Sequence, residues 1–153
     1  MIRLFVALEL PQIVRAHLTM LGGGVPGADI DDALATIRAP RFTLELAGVG
    51  EFGGKNPRAL WAGVRPNEAL LHLQKKVEAA LSRIAVAPDE RKFSPHVTLA
   101  RMKSAPREKV IEFLSHHALY ASAPFAVERF VLFSGQLGSG GSVYHPERLY
   151  PLN

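Results

Sequence analysis

At 153 residues and 48% hydrophobic side chains, the chain is long enough to close one domain around a core of its own. Zero cysteines exclude disulfides and thiolate-held metals, and no apolar run approaches the roughly 20 residues that span a bilayer. The formal charge of +4 favours an anionic ligand without singling one out.

Ile2, Leu4, Val6 and Leu8 alternate with Arg3, Phe5, Ala7 and Glu9, which predicts a first strand ending before Pro11. That strand begins at once, so the opening does not read as a secretory leader, and a cytoplasmic protein is expected. Pro11 to Leu21 is predicted as a helix, with proline in its first turn and Gly22-Gly23-Gly24 as its stop. A short helix is expected over Ile30 to Ile37, then strands over Phe42 to Leu46 and Ala59 to Val64. Leu70, Leu73, Val77, Ala80 or Leu81, and Ile84 recur at three- and four-residue spacing, the strongest helical signal in the chain.

A strand is expected from His96 to Arg101. Pro106 then opens a helix with Val110, Phe113 and Leu114 on its apolar side. Strands over Phe125 to Ser134 and Val143 to Tyr150 complete the set, and nothing marks a linker, so one domain covers residues 1–153. Strands and helices alternate irregularly and no Gly-Lys-Thr loop accompanies this order, which argues against a doubly wound nucleotide fold.

The chemistry concentrates in Ser94-Pro95-His96-Val97-Thr98-Leu99-Ala100-Arg101. Proline ends what precedes it, and alternation places His96, Thr98 and Ala100 on one face with Val97 and Leu99 on the other. An imidazole that titrates near neutral pH beside a hydroxyl that donates to phosphate oxygen suits acid–base work on a phosphodiester. Strict alternation points Arg101 away from His96, so its planar donor fork reaches a phosphate there only if the strand twists or bulges. With no His-Glu-x-x-His string and no cysteine set, neither a metal nor a cofactor is expected.

Arg3 to Pro11, Leu60-Trp61-Ala62-Gly63-Val64, Phe93 to Arg101 and the close from Phe130 to Tyr144 occur in the order found in one family. Together they resemble the two-histidine phosphoesterases, specifically the LigT-like RNA 2′,3′-cyclic phosphodiesterases once called 2′-5′ RNA ligases. The resemblance implies an α+β fold: two pseudo-symmetric lobes of mainly antiparallel sheet with flanking helices around a central cleft. It also implies a metal-free monomer that takes RNA ends or nucleotide 2′,3′-cyclic phosphates and hydrolyses them to 2′-phosphomonoesters. His96 and Thr98 would be its catalytic pair, His96 as base, with Arg101, Phe5 and Tyr144 as substrate contacts.

Each lobe of the family contributes a His-x-Thr strand, and the string at His96 supplies one of them. The other is expected to be missing between Val25-Pro26-Gly27-Ala28 and Asp29-Ile30-Asp31-Asp32, near 28–29, a deficit of roughly 15–25 residues by usual strand and loop lengths. Arg41-Phe42-Thr43 is not its remnant, since Leu46 to Phe52 and the following strand fit the family's later strand pair. His17 and His72 fall in predicted helices, and His116-His117 closes one. His145, beside Tyr144, is the nearest substitute. A catalytically degenerate module that binds RNA ends, and an interaction domain with a buried His96, stay open as alternatives.

Overall fold

The alternation at the N-terminus builds β1 (Ile2–Leu10), and β2 (Val14–Leu21) returns antiparallel along it, from Leu10 opposite Val14 to Leu4 opposite Leu21. The region expected to be the first helix is therefore a strand. Its spacing suits either element, and the ladder along β1 satisfies backbone groups that a helix there would leave exposed on the β1 edge. The computed structural model describes residues 2–10, 14–21, 27–86, 93–138 and 141–153.

After β2 come α1 (Gly27–Ala35), β3 (Phe42–Leu44), β4 (Leu46–Phe52), β5 (Ala59–Val64), α2 (Glu68–Ser82) and β6 (His96–Arg101). The chain closes with α3 (Arg107–His116), β7 (Phe125–Val127), β8 (Arg129–Gly138) and β9 (Gly141–Pro151). The expected helix at Ile30 thus starts three residues earlier. The expected strands from Phe42 and Phe125 each divide, at Glu45 and Glu128. Ala28 and Asp29 are consecutive residues inside α1, where the missing strand was expected.

Every strand pair is antiparallel. One sheet has the order β2-β1-β8-β9, a second β4-β5-β6, and β3 with β7 makes a small third. The two larger sheets approach along β2 and β6, whose Cα atoms come within 8 Å of one another. The main core lies on one side of both. Val6 and Leu8 of β1, Phe130 and Leu132 of β8 and Val97 of β6 pack there against Ile30 and Leu34 of α1 and Leu70, Leu73, Val77 and Leu81 of α2. Alternate residues Ala7, Val131 and Phe133 form a separate small cluster on the opposite side of the larger sheet. The open side of the molecule is the one away from α1 and α2.

Caps and ties set the ends of these elements. Asn67 caps α2 by accepting from Leu70 N at 2.9 Å, while its Nδ2 donates to Thr43 O at 2.7 Å, so one side chain joins α2 to β3. Arg41 donates from its backbone to Asn153 O and from Nε to Leu152 O, and its guanidinium lies 3.8 Å from Glu128. These are the contacts of a structural arginine.

Tyr150 stacks on Phe130 with centroids 4.9 Å apart, and its hydroxyl donates to Asp31 Oδ1 at 2.7 Å. Burial, and then the hydrogen bond to the Asp31 carboxylate, push this hydroxyl above the usual phenol range. The fold therefore favours the protonated ring. Its contribution is complete below the unfolded phenol value of about 10 and is lost as pH rises past the folded value. Tyr150→Phe is expected to lower stability by about 1–2 kcal/mol in urea titrations at pH 7, with a smaller difference from wild type above pH 10.

Candidate active site

His96 begins β6, and its neighbours on β5 fix which way it faces. Gly63 lies opposite His96, Ala62 opposite Val97 and Trp61 opposite Thr98. Val97 and Ala62 are completely buried on the core side. Antiparallel partners share a face, so His96 and Thr98 lie with Trp61 and Gly63 on the open side, both half-buried.

The ladder then slips by one residue, because Ala100 pairs with Leu60 and leaves Leu99 as the extra residue of a bulge. Arg101 consequently lies opposite Ala59, two positions from Trp61, on the same face as His96. Strict alternation had placed it on the other face. The bulge brings it back, and its side chain is exposed.

His96 Nδ1 lies 2.7 Å from Ser94 O. A carbonyl oxygen only accepts, so Nδ1 must carry the hydrogen, and in the neutral ring Nε2 is left with a free lone pair. Pro95 between them holds the chain extended, which lets residue 96 reach back to the carbonyl of residue 94.

Two more rings surround the imidazole. Phe52 meets His96 in a T-shaped pair with centroids 5.1 Å apart, Trp61 stands 6.2 Å from His96, and Phe52 and Trp61 are 5.8 Å apart. Gly50 seats this cluster, and Gly63 lets the Ala47 carbonyl approach β5. A Cβ at Gly50, opposite Trp61, would lie 2.1 Å from Trp61 Cζ2, and one at Gly63 would lie 2.6 Å from Ala47 O. The indole Nε1 is buried and has no hydrogen-bond partner among the described residues.

The strand alongside carries a residue pattern that the helical reading of 11–21 hid. His17-Leu18-Thr19 has the same His-x-Thr spacing as His96-Val97-Thr98 and lies in β2, the strand that approaches β6. His17 is at the register position opposite Ala7 and Thr19 opposite Val6, with a register shift between them. The histidine-bearing strand expected to be missing near 28–29 thus has a counterpart in β2. The repeated spacing followed by Gly22-Gly23-Gly24 was the available signal.

The other expected contacts belong to the larger sheet. Phe5 of β1 is in register with Phe133 on one side and Met20 on the other. Tyr144, half-buried on β9, packs against Ala7, Val131 and Phe133. Among the remaining histidines, His72 and His145 are exposed, His116 Nδ1 bonds Glu112 O at 2.9 Å, and the His117 ring stands 4.6 Å from Phe113. Among the described residues no three His, Cys, Asp or Glu side chains converge to hold a metal, and no helix is long and apolar enough to cross a membrane.

This arrangement has relatives. The chain is 41% identical over 80 residues to an RNA 2′,3′-cyclic phosphodiesterase of Aeropyrum pernix, covering 51% of this chain and 46% of the relative. It is 33% identical over 108 residues to one of Thermotoga maritima, covering 69% and 55%. The chain thus spans about half the length of these curated relatives. The crystal structure of Escherichia coli LigT complexed with 3′-AMP superposes with a TM-score of 0.76 at 23% identity, over 99% of this chain and 98% of that one, a likeness of fold. The pattern of the 2′-5′ RNA ligase superfamily matches residues 9–138, from the end of β1 through β8 and across both His-x-Thr strings. The chain belongs to that superfamily.

Proposed function

We propose that the protein hydrolyses 2′,3′-cyclic phosphates at RNA ends or on nucleotides to 2′-phosphomonoesters by metal-independent histidine acid–base catalysis. One observation carries this reading: the two His-x-Thr strings occupy β2 and β6, the strands along which the two sheets approach. In-line displacement at phosphorus needs a base on the side of the attacking water and an acid on the side of the leaving oxygen, and one group from each sheet suits that division.

His96 serves as the base, because its Nδ1 hydrogen is committed to Ser94 O and Nε2 is left to take a proton from water. The water oxygen then bonds to phosphorus, the P–O3′ bond breaks, and His17 delivers a proton to O3′. One proton is taken and one returned. Thr98 donates to the non-bridging oxygens as charge develops on them. Arg101, brought to this face by the bulge, adds its guanidinium to the same anion. Phe5 and Tyr144 are the candidate stacking surfaces for a base from the other sheet. The residues form a single domain, and we place the enzyme in the cytoplasm as a monomer.

The test is turnover of a 2′,3′-cyclic nucleotide and of an oligoribonucleotide ending in a cyclic phosphate, with the product followed by phosphorus NMR. Release of the 2′-phosphomonoester at a rate that EDTA changes by less than about twofold is expected, since every proton transfer is assigned to a side chain. Chelator-sensitive turnover removes the metal-independent reading. Tight binding of a 2′-phosphorylated nucleotide without turnover makes the protein a binding module.

A further inference from the structure

We propose that Phe52 and Trp61 fix the orientation of the His96 imidazole, with Phe52 a positioning residue for its proton transfer. The proposal rests on the catalytic reading of His96 above. A single hydrogen bond to Ser94 O holds Nδ1 but leaves the ring plane free to swing about that contact. A base must present its lone pair to a water within a narrow angle, so a second restraint on the plane matters.

Phe52 supplies one. It comes from β4, with β5 between it and His96, yet its ring meets the imidazole at 5.1 Å and 76°. Trp61, on the intervening strand, closes the triangle at 6.2 Å to His96 and 5.8 Å to Phe52. All three separations lie within the range at which aromatic pairs prefer defined geometries.

The cluster is poorly explained as core. Phe52 is 46% exposed, so much of its apolar surface stays in water, and it is absent from both buried clusters. Trp61 Nε1 is buried without a partner among the described residues, an unfavourable state for a donor. Gly50, at the register position opposite Trp61, gives up a side chain to make the room. Three departures from what stability alone favours surround one imidazole, and such departures gather where a site needs a fixed geometry. The strings Leu46 to Phe52 and Ala59 to Val64 are in this account the seat of the histidine.

The decisive variants are Phe52→Leu, which keeps an apolar side chain but removes the ring, and Phe52→Tyr, which keeps the ring. Both are made in the full chain, with folding checked by circular dichroism. kcat and KM are measured on a 2′,3′-cyclic nucleotide, and nitrogen-15 shifts of the His96 ring report its tautomer. Phe52→Leu is expected to lower kcat about tenfold with KM changed less than about twofold, and to move the His96 shifts toward a mixture of tautomers. Phe52→Tyr is expected to hold kcat within about twofold of wild type and to keep the wild-type shifts. Unchanged kcat and unchanged shifts in Phe52→Leu overturn the proposal, as does a raised KM at wild-type kcat, which would mark Phe52 as a substrate contact. Wild-type protein without turnover defeats the catalytic reading instead, and the shifts in Phe52→Leu then decide the orientation of the ring alone.

Discussion

His96→Ala lowers kcat on a 2′,3′-cyclic phosphate by about 10²–10⁴-fold, the usual worth of one positioned proton transfer. The fold survives, because β6 is held by Val97 in the core and by its ladder to β5, neither of which needs the imidazole. Thermal unfolding and circular dichroism therefore match wild type while turnover disappears. His17→Ala is expected to fall as far, and the double variant no further than the weaker single one by more than about tenfold, since base and acid act in one step and their losses do not multiply. Full activity in His17→Ala would remove β2 from the mechanism and leave His96 without an acid. Progress curves on one substrate, at enzyme concentrations spanning several decades, suffice to measure all four proteins.

Gly50→Ala has the largest expected effect on structure. Its Cβ would lie 2.1 Å, 2.4 Å and 2.5 Å from three atoms of the Trp61 ring, contacts that no side chain sustains. β4 is tied to β5 on one side and to Tyr120 and Ser122 on the other, so the backbone has little freedom to retreat and the indole must move. Overpacking of this kind costs about 1–3 kcal/mol, to be read from urea titrations. Trp61 is the only tryptophan, so its emission reports the displacement directly. A shifted emission maximum together with reduced kcat is the expected outcome. Wild-type emission with wild-type stability would show that the ring does not lie over Gly50.

Much of the fold was legible because local pattern and tertiary role agree. The α2 stripe of Leu70, Leu73, Val77 and Leu81 is the core face of that helix, and Asn67 caps it where the periodicity begins. His96 to Arg101 was recognisable as a strand because proline precedes it and β-branched residues follow. The stretch around His17 was not, since Val14, His17 and Leu21 also fall at helical spacing behind a proline. What decides between helix and strand is the unpaired edge of β1, which local spacing does not contain. The Phe52–Trp61–His96 triangle was hidden for a related reason. Its members are neighbours only through the register of three strands, and only the glycine at 50 hints that something large must be accommodated.

The bulge at Leu99 has a consequence for how such a strand can change over generations. It splits β6 into two segments whose facing is set independently, His96 and Thr98 by one phase and Arg101 by the other. Pairing that one residue, by a single insertion between Leu60 and Trp61 of β5, would leave the histidine untouched and turn the arginine to the opposite side of the sheet, as a gear tooth skipped on one half of a shaft. A lineage could therefore gain or discard a cationic contact in a single indel, with no residue exchanged and the acid–base pair in place throughout.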